Sequence, residues 1–242
     1  MKGLLLFGLL LNLPFFGSKT ESYQILIALG CSAPRNVQNA YREMLAYEVL
    51  PNLFGEKLLN VQVQLVLAAI TGRAYTAPVR VLETPNPMQS NRFVIEKRAQ
   101  ELRKEALAAF DQLRSRTSAD CRKGTEIVGA LKAAGERARG PGRILVLAHG
   151  FEQSELMNLY DYSLRLERPE VRASLLERVR KRLGLPQLKD QEVCFAGLTA
   201  GDDRNANSRL TGSMRLFWEE LITASGGKLV GYGVSPRTCP FL

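Results

Sequence analysis

Continuous apolar runs constrain this chain more than any other feature. Residues 23–30 (YQILIALG), 143–150 (RILVLAHG) and 192–198 (EVCFAGL) are short, nearly unbroken in hydrophobicity, and closed by glycine or a loop. A strand that is apolar at successive positions hides both faces, the habit of a parallel sheet sandwiched between helices. Residues 228–234 (KLVGYGV) read as a shorter strand of the same kind. Between these runs stand amphipathic helical patterns. After Pro34, apolar residues Val37, Tyr41, Met44, Leu45 and Val49 recur at helical spacing, and residues 91–116, 124–138, 168–184 and 208–227 do likewise. Residues 61–70 and 77–85 read as two strands joined by a link short enough for a hairpin. The order predicts a doubly wound α/β domain. It has a mostly parallel sheet of about six strands, one antiparallel strand, and helices on both faces. No Pro/Gly/Ser-rich linker divides residues 21–242, so one domain is expected, with a helical insertion at about 154–186.

The chain's 242 residues are 45% hydrophobic, enough for a sizeable core. Its N-terminus carries Lys2, then an apolar stretch from Leu4 to Phe16, then polar residues from Ser18. Such a stretch is short for a membrane span and suits a signal peptide, with Ser18-Lys19-Thr20 the nearest small-x-small triplet. Residues 1–20 are therefore read as an export segment, and the protein as periplasmic, cell-surface or secreted, or retained by that segment if uncleaved. A buried N-terminal helix is the alternative.

Four cysteines, Cys31, Cys121, Cys194 and Cys239, form no C-x-x-C pair, which argues against a zinc ribbon. In an exported chain they permit two disulfides in any of three connectivities; otherwise they are free thiols.

The net charge of +9 allows contact with nucleic acid or an anionic surface. The basic residues are spread along the chain, which fits an ordinary solvated surface. Their densest set is Arg168, Arg172, Arg178, Arg180, Lys181 and Arg182, within one predicted helix.

In doubly wound sheets, ligands bind outside the carboxyl ends of the strands. That selects the loops at residues 30–34, 149–152 and 201–204, joined by the loop at 121–125. His149 is the only histidine. Ser32, His149 and Asp202 follow three different strands and form the only Ser/His/Asp set, which defines an exported-hydrolase alternative. However, GCSAP is not a G-x-S-x-G elbow, and no P-loop, G-x-G-x-x-G or H-E-x-x-H motif is present. The simpler reading of His149 is a strand-end histidine hydrogen-bonded to a neighbouring loop.

Three segments together resemble the von Willebrand factor A family. ILIALGCSAPRN (residues 25–36) looks like its first strand and metal loop. KGTEIVGALKAAGERA (123–138) is similar to the segment that carries its metal-site threonine, and RILVLAHGFEQS (143–154) to its fourth strand. The resemblance implies the doubly wound fold and a binding face built on Gly30, Cys31, Ser32, Pro34, Thr125, His149, Gly150, Glu152 and Asp202. It departs from the family at the metal ligands. Gly30 and His149 stand where aspartates are expected, and Pro34 replaces the second serine; Ser32 and Thr125 match. Hard divalent cations prefer oxygen ligands and usually a carboxylate. The metal-ion-dependent adhesion site is thus expected to be degenerate, with no metal or other cofactor. A residual site would need Glu152 or Asp202. On the same resemblance, Cys31 and Cys121 meet at one sheet edge and are expected to form a disulfide. The function expected is an extracytoplasmic protein–protein interaction or scaffolding module without catalytic residues. Met157, Leu159, Tyr160 and Tyr162 in the insertion offer a partner surface; the alternative is that they pack on the domain's own core.

Overall fold

The computed structural model describes residues 19–30, 33–119, 124–198 and 208–242. Six strands form one sheet: β1 (Lys19–Ala28), β2 (Val61–Ile70), β3 (Val79–Glu83), β4 (Gly142–Leu147), β5 (Gln191–Ala196) and β6 (Lys228–Tyr232). Their order is β3-β2-β1-β4-β5-β6. All neighbouring pairs are parallel except β2 with β3, the antiparallel hairpin read from the sequence. Chain order reverses between β1 and β4, so the switch point lies beyond Ala28 and Leu147.

The apolar runs are buried for the expected reason. Ile25 to Leu29, Ile144 to Ala148 and Val193 to Ala196 are essentially inaccessible, with helices covering both faces. β1 starts earlier than its apolar run suggested. Lys19 to Ser22 pair with Val61 to Gln64, so the expected export boundary at residue 20 falls inside the strand. These four residues are polar because this end of β1 is half-exposed, a property that hydrophobicity alone does not detect.

The helices are α1 (Arg35–Met44), α2 (Leu50–Leu53), α3 (Arg92–Ala119), α4 (Ile127–Arg137), α5 (Pro169–Arg182) and α6 (Arg215–Ala224). α1 reaches α2 through a wider π turn at Leu45–Val49, and a second π turn, Leu210–Met214, leads into α6. The stripe along α3 is the one its spacing predicts: Ile95, Ala99, Leu102, Ala106, Phe110 and Leu113 are all buried. α4 begins three residues later than expected. Gly124 to Glu126 stay outside the helix because Thr125 bridges to Gln153 instead of entering it.

The insertion divides its apolar residues between two roles. Met157 and Leu159 are buried in the core, whereas Tyr160 and Tyr162 keep 40% and 50% of their surface in solvent. Cys194 of β5 is bonded to Cys239, S–S 1.99 Å, tying the C-terminal segment to the strand between β4 and β6. Cys31 and Cys121 lie outside the described residues. No described helix is long and apolar enough to cross a membrane.

Candidate functional site

The site is assembled from loops that leave the carboxyl ends of β1, β2 and β4. Leu29 and Gly30 donate their N–H groups to the Ile70 carbonyl at 3.2 and 3.3 Å, which draws the end of β1 against β2. Gly30 is tightly enclosed: a Cβ there would lie 3.3 Å from Thr71 Cα and 3.5 Å from the Gly124 carbonyl oxygen. The position that the family resemblance assigns to a carboxylate therefore has little room for any side chain. Thr125 lies alongside. Its backbone exchanges two hydrogen bonds with Gln153, at 2.9 and 3.0 Å, and Glu126 N–H donates to the Thr71 carbonyl.

His149 ends the β4 run and is 6% exposed. Its Nδ1 accepts the Phe151 N–H at 3.0 Å. The ring proton therefore sits on Nε2, which faces Tyr160 Oη at 3.4 Å and Thr125 Oγ1 at 3.5 Å. Burial holds the imidazole down at about 4, so it is neutral at physiological pH. The histidine is thus bonded within its own strand-end loop and faces Thr125 and Tyr160 from two other segments. Phe151 and Tyr160 stack at 4.4 Å between ring centroids, and His149 packs against both. The next residue is Gly150 at φ +83, where a Cβ would meet Leu198 at 2.8 Å. Trp218 secures this turn by donating its indole N–H to the Gly150 carbonyl at 3.0 Å.

Glu152 is completely buried. Oε2 accepts the Val128 N–H at 3.0 Å, which places a carboxyl at the start of α4, where helix N–H groups lack intrahelical acceptors. Oε1 has no hydrogen-bond partner among the described residues. Burial pushes this carboxyl up to about 7, against the lowering influence of the Ser154 hydroxyl and the Val128 and Ile127 N–H groups. Glu126 lies beside it, accepts Ala74 N–H at 3.0 Å through Oε2, and is also raised by burial. Glu152 and Glu126 line a recess of about 400 Å³ that also includes Glu155, Tyr75 and Arg182.

Gly30, Thr125, His149, Gly150 and Glu152 thus sit together around the switch point. Pro34 is exposed and opens α1 from the same end of the sheet. Cys31, Ser32 and Asp202 lie outside the described residues. Among the described residues, no three histidine, cysteine, aspartate or glutamate side chains are grouped to hold a metal ion.

The predicted basic helix needs one correction. Arg172 points inward: it is buried, pairs with Glu220 at 2.8 Å, and donates to the carbonyls of Leu166 and Glu167. It occupies the inner face with Leu175 and Val179, so it cannot join a phosphate-binding surface. Arg168, Arg178, Arg180, Lys181 and Arg182 remain exposed, and Glu177 pairs with both Arg180 and Lys181.

Sequence reasoning overlooked three polar groups near this edge. Glu126 is followed at once by helix, and nothing in its surroundings marks it out. Tyr41 and Tyr232 read as apolar positions, yet their buried hydroxyls have no hydrogen-bond partner among the described residues. Burial raises both phenols well above their ordinary value.

No protein-family model matches the chain, and no curated protein sequence matches it.

Proposed function

We propose that this protein is an extracytoplasmic interaction module of von Willebrand factor A type. In this reading the end of the sheet that would bind a divalent metal has become a metal-free docking face. One observation carries the reading. His149 stands where the family resemblance expects an aspartate, and its ring is committed to the Phe151 N–H on one side and faces Thr125 and Tyr160 on the other. A neutral imidazole is a poor ligand for a hard cation, and here it packs against the one threonine the metal site would have used. The sheet order, with its switch between β1 and β4, is compatible with this reading. Tyr160, which packs against His149, and Tyr162, two residues further along the insertion, are partly exposed and supply the aromatic surface that interaction sites favour. The Cys194–Cys239 bond favours an oxidising compartment, in agreement with the apolar N-terminal segment.

The hydrolase alternative is less well supported. A triad histidine donates from Nδ1 to its carboxylate and accepts the nucleophile's proton at Nε2, whereas His149 accepts at Nδ1. Site-specific photo-crosslinking in the native compartment tests the docking reading. A crosslinker at Tyr162 should capture a discrete partner, and one at Lys228, on the opposite end of the sheet, should not. Capture from Lys228 alone, or equally from both, overturns the proposal.

A further inference from the structure

The recess beside α4 is built unlike a simple helix cap. Capping α4 requires one carboxylate oxygen, and Glu152 Oε2 serves that purpose through Val128 N–H. The second oxygen, Oε1, is buried and has no hydrogen-bond partner among the described residues, although the Ser154 hydroxyl, which also lines the recess, acts on this carboxyl. A buried polar atom without a partner is costly, and this one belongs to a side chain that lines an open recess. Glu126 lies close by, its Oε2 held at the rim of α4 by Ala74 N–H, and Glu155 adds a third carboxylate from the exposed side. The side chains suited to an organic ligand are also present. Tyr75, half-exposed, contributes an aromatic ring, while Leu156 and Leu183 contribute apolar surface. The three carboxylates are not grouped to close on a metal ion, which favours a larger cation that carries its own N–H donors.

We propose that this recess receives the cationic head of an arginine or lysine side chain presented by the partner protein. Its N–H groups satisfy Glu152 Oε1 and Glu126, and its alkyl stem lies along Leu156 and Leu183. The proposal rests on the docking reading for the source of the side chain, but the recess can be tested without a partner. Carboxylate pairs and aromatic rings are the ordinary receptors for guanidinium and ammonium groups. Several charged groups face Glu152 here. Glu126 at the entry of α4 and Glu155 favour a cation. Arg182 of α5 sits at the rim and disfavours a second one deeper in. Tyr75 is engaged through its hydroxyl with Glu136, and His149 stays neutral.

The test is a titration of the full chain, followed by calorimetry or amide chemical shifts. The probes are N-acetyl-arginine methylamide and N-acetyl-lysine methylamide, compared with N-acetyl-norleucine methylamide and tetramethylammonium. The arginine and lysine probes should bind saturably and the other two should not, because one lacks charge and the other lacks N–H donors. Since binding requires the ionised Glu152, affinity should rise roughly tenfold from about pH 6 to about pH 8. Glu152→Gln should weaken binding at least about tenfold and flatten its pH dependence. Glu126→Gln, on a half-buried side chain, should weaken it severalfold and provides the check if the first variant fails to fold. Absence of saturable binding by either basic probe overturns the proposal. So does equal binding of norleucine or tetramethylammonium, indifference to Glu126→Gln, or competition by calcium or magnesium ions. Probe binding without a crosslink at Tyr162 would retain the recess and sink the docking reading; a crosslink without probe binding would do the reverse.

Discussion

Glu152 and His149 stand three residues apart, and burial displaces their titrations in opposite directions. Their pH effects on stability should therefore oppose each other. Glu152 is raised from 4.5 to about 7. Between those values the folded protein holds a proton that the unfolded chain has released, so stability falls as pH rises through this window. His149 is lowered from 6.5 to about 4. Between those values the unfolded chain holds the proton, so stability is lost as pH falls. Each displacement spans roughly 2.5 pH units, or about 3 kcal/mol in full. The two slopes nearly cancel from about pH 4.5 to about 6.5 in the native protein. Substitution of either residue should unmask the other. Glu152→Gln keeps an acceptor for the Val128 N–H and removes the ionisation. Its stability relative to the native protein should gain about 3 kcal/mol between about pH 4 and about pH 8. His149→Gln should show the reverse trend, gaining relative stability as pH falls from about 6.5 to about 4. Urea unfolding midpoints measured across pH, with a shared slope, report these differences. Lost contacts add a constant offset to each variant, and only the pH-dependent part is diagnostic. A Glu152→Gln difference that stays flat, or that grows toward acid, would refute the assignment of a desolvated carboxyl at this position.

Two further expectations concern the architecture. Opening the Cys194–Cys239 bond releases a loop spanning a sequence separation of 45. Reduction, or the paired alanine variant, should cost about 4 kcal/mol in denaturant titrations. A loss below about 1 kcal/mol would show that the C-terminal segment is held by packing alone. Non-reduced digest mapping of the native, unreduced protein should find Cys31 joined to Cys121, the pairing that the family resemblance implies. Gly197 lies at φ +78 against the Tyr41 ring, where a Cβ would approach Cε1 to 2.5 Å. Gly197→Ala should therefore destabilise by roughly 2 kcal/mol or more, read as a lowered thermal midpoint, and a neutral result would contradict this close approach.

The legible parts of this fold share one property: their signal is local. β1, β4 and β5 were recognisable because hydrophobicity is continuous wherever a strand is covered on both faces. α3 was recognisable because its apolar residues recur every three or four positions along 28 residues. The hairpin of β2 and β3 followed from a short link between two strand-like runs. The polar start of β1 carries no such signal, because a half-exposed strand end needs no hydrophobic residues. Arg172 was assigned to the basic surface by its charge, although its helical position beside Leu175 and Val179 places it inside, where Glu220 compensates it.

For the site, the pattern of strands along the chain dictates which strand-end loops gather. Parallel strands send their carboxyl ends to one edge, so Gly30, His149 and Glu152 meet there once the strands are recognised; Thr125, which follows α3 and not a strand, joins them through its bridge to Gln153. What they do on meeting depends on the folded chain. The tautomer of His149 depends on a backbone N–H two residues away and on a tyrosine eleven residues away. The unpartnered oxygen of Glu152 depends on where α4 begins, and Glu126 becomes its neighbour only through the bridge between Thr125 and Gln153. Periodicity reports whether a side chain is covered. Its hydrogen-bond partners come from segments remote in the chain, and their positions exist only after the sheet has closed over its helices.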